Sequence, residues 1–540
     1  MCAAALLRFS RLDLMEFRGD QADHHEALLE IREGHLPLCG HVASSGMMFP
    51  PWFYYALVPG LALGRSPMAL AAVCAASGVL AVLLCWLCAR RFADPTVAFA
   101  AAMLMATSPW AVMESRKLWA PDMMPFFSAL ALWCCLRFLE KPSAGRWTAA
   151  LLALCVGAQV HYSGLPLLAT ALLTWWLTGW RIPWKWWLGA GAACAVSALP
   201  FIVYEIQHGF RDVAILLGLA AGSGGGALSL RGFRMLPDLI GGAGLAQFYM
   251  AGMTSSLSAA YRPAVAIATA LGGILIAGGI AESVRRLRGG GPVEDSAEGT
   301  VVRSGAQIWL LLAWVVLPPL LLFREPVHRC YFFVCMPAMW VVAAAGLQRG
   351  MEIASRAPGR AAGARALACA VVSLTALAGV WTSAEILFSL ARAGGTYGPY
   401  GPTYGTKMRI ADFLADRSRE EPVLLLDLSF PPLVRQAAQQ NGEFQGLLVG
   451  AWAGGIPHLA GFIDPEARFW QPGQPVPGRV WILTGALPPS ALIRKELLRE
   501  KPLAGPVRFG DFELAAYGWM DQPPPPTPEA RRQPAYPPVE

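Results

Sequence analysis

Long apolar runs, separated by short polar or Gly/Pro-bearing turns, recur along the chain as far as residue 388. Their lengths predict membrane-spanning helices over residues 68–89, 96–113, 123–139, 148–163, 165–180, 187–204, 263–282, 306–323, 331–347 and 366–388. Several fall short of the roughly 20 residues that a bilayer asks for, so flanking residues must complete them. Residues 241–258 form a weaker apolar stretch that suits a re-entrant segment. Past residue 391 the pattern changes. Val423–Leu428 (VLLLDL) and Arg479–Thr484 (RVWILT) read as buried strands, and Val507–Trp519 reads as a terminal strand or hairpin. Residues 431–440 and 490–500 between them read as helices. Residues 520–540, with PPPPTP and PAYPP, lack the means to pack a core and read as an extended, disordered tail.

Composition agrees with this pattern. Of 540 residues, 55% are hydrophobic and only 15% charged, and the mean hydropathy is +0.44. A soluble protein carries about 25% charge, so a chain of several soluble domains is excluded. The net charge of +7 is modest and implies no nucleic-acid partner. Its basic residues are distributed by side. Arg90 and Arg91 follow the first span, Arg137, Lys141 and Arg146 the third, and Arg181 and Lys185 the fifth. Arg285, Arg286 and Arg288 follow the seventh, and Arg349, Arg356, Arg360 and Arg365 the ninth. These alternate loops belong in the cytoplasm by the positive-inside rule. The opposite loops are then external: 18–66, 114–122, the turn near 164, 205–262, 324–330 and everything beyond 388. Ahead of loop 18–66 stands only MCAAALLRF, too short to span; either a short first helix is assisted by its neighbours or, as preferred here, a further helix lies upstream. None of the twelve cysteines follows Cys369, so the external C-terminal region has no disulfide framework.

The candidate chemistry sits in the external loops. Asp20, Asp23, His24, His25 and Glu26 crowd the start of loop 18–66. His24–Arg32 is expected to form an amphipathic helix on the membrane, and Pro50, Pro51 and Trp52 to open an aromatic interfacial segment. Such a loop is either a solvated polar turn or part of an enzyme that joins a lipid-borne substrate to a polar one. In ESRKLWAPD, Arg116 and Lys117 are external against the charge rule. They either snorkel to headgroup phosphates or bind a substrate phosphate, while Glu114 and Asp122 either orient them or are ordinary helix-end charges. Gln159, His161 and Tyr162 lie at a span boundary, where polar groups are costly unless partnered, and are expected to line a cavity. Glu205, Gln207, His208 and Arg211 end one external helix, and Arg324, Glu325, His328, Arg329 and Tyr331 occupy another external turn. Polar groups from five segments thus converge on one membrane side. His24, His25, Glu26, Glu205 and His208 are chemically able to bind a divalent metal, although no spacing is diagnostic.

Several short motifs carry a family likeness. Gly19-Asp20-Gln21-Ala22 looks like an external-loop signature in which an acidic residue follows the first membrane helix. Pro50-Pro51-Trp52-Phe53-Tyr54-Tyr55 resembles a Pro-aromatic stretch before the second, and Ser115-Arg116 with Leu118-Trp119-Ala120-Pro121 an S-R-x-x-W-N-P pattern. Gln159-Val160-His161-Tyr162-Ser163 resembles Q-x-H-Y-S, His328 to Pro337 an H-Y-F…P segment, and Gly394 to Tyr404 a glycine- and tyrosine-rich stretch after the last helix. In these motifs the chain resembles the bacterial GT-C superfamily of membrane glycosyltransferases, in the family 39-like group, whose relatives include protein O-mannosyltransferases and the lipid A aminoarabinose transferase. The likeness covers roughly residues 10–410, with departures at Gln21, Ala120 and Arg329-Cys330.

The resemblance implies a polytopic all-α membrane protein of GT-C type with a small C-terminal extracytoplasmic α/β domain. Residues 1–390 would form the catalytic membrane domain, 391–519 the α/β domain and 520–540 the tail. It further implies an inverting, mannosyltransferase-like enzyme of the bacterial inner membrane, with a polyprenyl-phosphate-linked sugar as donor and a lipid, glycan or protein acceptor. In that chemistry Asp20 takes the acceptor proton, with Asp23 as the alternative. Arg116, Lys117 and Arg324 steady the leaving phosphate, and Trp52–Tyr55 line the isoprenoid groove. Trp119, Asp122, Gln159, His161, Tyr162, Glu205, His208 and His328 complete the expected substrate-binding set. The resemblance names no certain cofactor, and a divalent metal is left open. Two rival classes remain at this stage. A multi-pass transporter would also bury polar groups, though no inverted repeat is visible and the polar groups gather at one face rather than at mid-membrane. A catalytically degenerate GT-C protein with a binding role is the other.

Overall fold

The computed structural model describes residues 1–43, 46–221, 231–250, 256–288, 304–321, 328–356, 361–397, 400–428, 456–470, 474–475, 477–485 and 502–518. The expected helices at 431–440 and 490–500, the tail at 520–540, and Arg324 and Glu325 lie outside the described residues. In chain order the helices are α1 (Cys2–Phe9), α2 (Gly19–Arg32), α3 (Trp52–Leu61), α4 (Pro67–Ala89), α5 (Pro95–Thr107), α6 (Pro109–Glu114), α7 (Met124–Glu140), α8 (Ala144–Val160), α9 (Leu165–Leu177) and α10 (Trp184–Gln207). There follow α11 (Arg211–Ala221), α12 (Arg231–Gly241), α13 (Leu245–Tyr249), α14 (Tyr261–Arg288), α15 (Ser304–Leu321), α16 (Met336–Ser355), α17 (Ala361–Ala393), α18 (Tyr404–Ser418) and α19 (Ile456–Ile463). The chain divides into two compact units. A helical unit comprises 1–10, 24–243 and 259–383; an α/β unit comprises 11–23, 244–258 and 384–540.

Among the described residues, six helical segments are long and apolar enough to cross a membrane: Pro67–Ala89, Ala120–Glu140, Trp184–Gln207, Tyr261–Arg288, Arg329–Ser355 and Ala361–Ala393. Pro95–Thr107, Ala144–Val160 and Gly305–Leu321 are apolar but shorter. Large apolar side chains such as Val196 and Leu199 on α10 and Leu374 and Leu377 on α17 are exposed. Unpaired apolar faces on so many long helices are what a lipid solvent requires and water does not tolerate. The protein is therefore a multi-pass membrane protein. Arg329–Ser355 is the most enclosed of the six and Trp184–Gln207 the least, which sets α16 at the centre of its bundle and α10 at the rim. The crossing of α14 and α16 is close enough that a Cβ on Gly279 would stand 1.9 Å from the Val342 carbonyl oxygen.

The expected span 96–113 is in fact two helices, α5 and α6. Pro109 has no N–H to continue the first, and the residue before a proline is pushed out of the helical region; Ser108 has ψ 122. The expected span 331–347 likewise opens as a 3₁₀ turn over Arg329–Cys335 before α16 begins. Pro50–Trp52 leads not into a loop but into α3, which buries Phe53, Tyr54 and Leu57.

The α/β unit holds a four-stranded sheet: β1 (Leu424–Leu428), β2 (Arg479–Thr484), β3 (Ala504–Phe509) and β4 (Phe512–Gly518), in the order β1-β2-β4-β3. β1 and β2 are parallel, with Leu424 opposite Val480, while β4 is antiparallel to both β2 and β3. The strands expected from VLLLDL, RVWILT and the terminal hairpin are all present. α18 packs on the sheet through Phe413, whose ring lies 5.3 Å from Trp481 and 6.1 Å from Phe509.

Candidate active site

The charged residues of the segment after α6 are buried, not exposed to headgroups. Arg116 is 2% exposed, and its Nη1 donates to the carbonyls of Leu7 at 2.8 Å and Arg8 at 3.2 Å. These are last-turn carbonyls of α1, which have no partner within their own helix. Arg8 repeats the device one helix on. It is fully buried and donates to Ala106 at 2.9 Å and Met105 at 3.4 Å, at the end of α5. Snorkelling does not describe Arg116. Lys117 is also buried; its Nζ pairs with Glu114 at 3.1 Å and lies 4.4 Å from the centre of the Trp119 ring. Asp122 is buried in the 3₁₀ turn Ala120–Met123, and Cys330 lies within electrostatic reach of Glu114, Lys117 and Asp122. A cavity of about 10 Å³, room for a single water, opens among Arg8, Glu114, Ser115, Asp122 and Phe333.

A second group of expected residues meets through aromatic rings. Tyr162 packs 4.7 Å from Phe49, Phe49 stacks 5.1 Å from His161, His161 lies 5.8 Å from Tyr331, and Tyr331 meets His328 edge-on at 5.6 Å. α8 ends at Val160, so His161 lies beyond it and accepts the Ser163 N–H on Nδ1 at 3.2 Å. The neutral ring therefore carries its proton on Nε2. The Tyr162 hydroxyl donates to Met48 O at 2.5 Å, and the Met48 N–H donates to Asp212 at 3.1 Å. Asp212 and Glu205 are both buried and interact at the α10–α11 junction. Cys330 and Tyr331, adjacent in one 3₁₀ turn, connect the charged group to the aromatic one.

Other expected residues go elsewhere. Gln159 donates to Ser197 Oγ at 3.0 Å, within a network that also holds Trp52 through Ser197 O at 2.6 Å. His208 is exposed and stacks 4.1 Å from Tyr204. His24 and His25 diverge: His24 sits among Phe53, Tyr54 and His41, while His25 Nε2 donates to Arg65 O at 2.6 Å. Among the described residues no three His, Cys, Asp or Glu side chains are grouped to hold a metal ion, so the set His24, His25, Glu26, Glu205 and His208 does not fit one.

Asp20 belongs to the α/β unit and lies in the first turn of α2, partly exposed; Asp23 is exposed. The helix expected from His24 begins at Gly19. Gln21 reaches back to accept the Arg18 N–H at 2.9 Å, the acceptor role of the N3 residue in a capping box. That bond gives the residue beside Asp20 a structural role in starting α2. Arg8, Phe49 and Asp212 were missed by sequence reasoning. Only Arg8 left a signal, as the one charge in an apolar run.

Over 95% of this chain and 96% of the other, the structure matches ArnT from Cupriavidus metallidurans in the apo state, with TM-score 0.53 and 13% identity. This is the fold of the GT-C membrane glycosyltransferases. The resemblance read from the motifs is thereby borne out. ArnT from the same organism bound to undecaprenyl phosphate matches over 95% and 96% with TM-score 0.49 and 13% identity. The Archaeoglobus fulgidus oligosaccharyltransferase matches over 89% of this chain and 68% of its own, with TM-score 0.43 and 12% identity. The fold assignment rests on the first of these. Residues 49–204 also match the sequence model of the family described as dolichyl-phosphate-mannose-protein mannosyltransferase. A search of curated proteins finds no match. The matched stretch of this chain contains both Lys117 with its partners and the Phe49–Tyr162–His161 rings.

Burial, and secondarily the neighbouring His41, lowers the His24 pKa to about 3 from its ordinary 6.5. A histidine held neutral in the fold but free to protonate when unfolded contributes stability that is full above pH 6.5 and is lost as pH falls toward 3. Lowering pH from 7 to 5 should cost about 2 kcal/mol through His24 alone. His24→Phe, which keeps a ring against Phe53 and Tyr54, should show a visibly smaller drop in thermal midpoint over that range. An equal drop in variant and wild type would contradict this assignment.

Proposed function

We propose that the protein is an inverting glycosyltransferase that moves a sugar from a polyprenyl-phosphate donor to an acceptor hydroxyl of a lipid, glycan or protein. The observation that carries the reading is the group of buried Glu114, Lys117 and Asp122 with half-buried Trp119, which falls inside the residues matched by the mannosyltransferase family. A cation held away from bulk water by a carboxylate and a ring suits a phosphate whose charge grows as it leaves. Of the two described candidates, Arg116 bonds to the end of α1, so the reading takes Lys117 as a leaving-group cation; Arg324, the third, lies outside the described residues. ArnT has been seen with undecaprenyl phosphate, which supports a donor of that class here.

In the proposed step the acceptor oxygen attacks the anomeric carbon as Asp20 takes its proton. The bond from that carbon to the phosphate oxygen breaks on the opposite face, and the polyprenyl phosphate departs with the electron pair. One displacement inverts the anomeric centre.

Asp20→Asn keeps size and polarity but removes the proton acceptor. Turnover should fall by roughly 10²-fold or more, with donor affinity and folded yield little changed. Asp23→Asn should be milder. Near-normal turnover in Asp20→Asn with loss in Asp23→Asn would transfer the role to Asp23.

The reading places the protein in a bacterial inner membrane with the α/β unit outside the cytoplasm, as the alternating arginine loops require. Arg508 is exposed on β3. In a background with Cys2 and Cys369, the two exposed cysteines, replaced by Ser, Arg508→Cys should react with a membrane-impermeant thiol reagent in spheroplasts. Labelling only after lysis would reverse the topology.

A further inference from the structure

The glycine- and tyrosine-rich run from Gly394 to Tyr404 has no task in the chemistry above, yet it closes on the segment that carries Asp20. The run is folded tightly on itself: the Thr396 N–H donates to Gly401 O at 2.9 Å, and the Thr403 N–H to Gly394 O at 2.9 Å. Gly394 and Gly401 have φ of 76° and 66°, in the left-handed region. At Gly395 a Cβ would stand 2.3 Å from Gly401 O. From this turn two donors reach the backbone that precedes α2. The Tyr400 hydroxyl donates to Leu14 O, and the Tyr404 N–H donates to Met15 O at 2.9 Å. Phe17, fully buried, packs edge-on against Tyr404 at 5.6 Å. One turn along α18, Lys407 is 1% exposed and lies within electrostatic reach of Asp427 on β1 and of Arg18 and Glu16 ahead of α2.

A non-helical stretch such as 15–18 has no repeating ladder of its own, so its course is set by what bonds to it. Here the Tyr400 hydroxyl fixes its start at Leu14 and the Tyr404 N–H bonds to Met15, while the buried Lys407 ammonium acts electrostatically on Glu16 and Arg18. Arg18 is the residue whose N–H Gln21 accepts, and Asp20 follows in the next turn of chain. We infer that this clasp, with Tyr400 and Lys407 as positioning residues, sets the backbone from which Asp20 is presented. The inference rests on the reading of Asp20 as the base. The two carboxylates, Glu16 and Asp427, hold the ammonium against the repulsion of Arg18, so a neutral side chain at 407 would not replace it. Burial lowers the Lys407 pKa to about 8, with Asp427 and Glu16 opposing the shift and Arg18 adding to it. The clasp accordingly loosens as pH rises through 8.

The test combines amide hydrogen exchange over residues 15–21 with steady-state turnover of a polyprenyl-phosphate sugar by the full-length protein. Tyr400→Phe keeps the ring and removes only the donor to Leu14. It should speed exchange in that stretch and lower kcat by roughly ten- to a hundred-fold, with KM and folded yield near normal. Lys407→Met should behave alike. Lys407→Arg, which stays charged, should recover turnover and lose the decline in kcat near pH 8. Unchanged exchange in both Tyr400→Phe and Lys407→Met would overturn the clasp. Faster exchange with unchanged kcat, or a loss confined to folded yield, would overturn the positioning role. A wild type that turns over no donor would overturn the functional reading and with it the catalytic half of the inference, while the exchange measurement still decides the clasp.

Discussion

A helix that ends inside a protein leaves its last carbonyls without partners, and the helical unit answers this with buried arginines. Arg116 covers the end of α1, and Arg8 on α1 covers the end of α5. A guanidinium suits the task because it offers several donors in one plane and stays charged. Beside these carbonyl-bonded cations, Glu114 pairs with Lys117. The helices between Pro95 and Asp122 are short and broken because Pro109 cannot continue the first and pushes Ser108 out of the helical region. They place a buried charge group where a continuous helix would have carried the chain past it.

The long helices were legible because their apolar length is a local property, and so were β1, β2 and the terminal hairpin. What escaped is what depends on contacts distant in sequence. The break at Ser108–Pro109 was readable in principle but was overridden by a continuous apolar run. α18 and α19 bear no strong local pattern and are ordered by packing, as Phe413 on Trp481 shows. In the candidate site, Lys117, Asp122, His161 and Tyr162 were found, since ionisable residues at a span boundary are costly without a purpose. Phe49, Asp212 and Lys407 escaped because a phenylalanine in a loop, or a charge on a surface-like helix, looks ordinary until its neighbours are known. The joining of residues 11–23 to those beyond 384 has no signature in either stretch alone.

The division of labour that emerges links sequence to chemistry through partners rather than through motifs. Arg116 is built into a helix end, Lys117 keeps a carboxylate and a ring, and Gln21 caps the helix whose first turn carries Asp20. A motif that pairs these neighbours in sequence therefore mixes structural and chemical tasks.

The central claim is a single displacement at an anomeric carbon with a lipid phosphate as leaving group. Its most direct test is the anomeric configuration of the product that purified protein forms from a polyprenyl-phosphate sugar of known configuration, read by proton NMR. The account predicts transfer with the configuration opposite to that of the donor. Transfer with retained configuration, or no transfer from any polyprenyl-phosphate sugar, would contradict it.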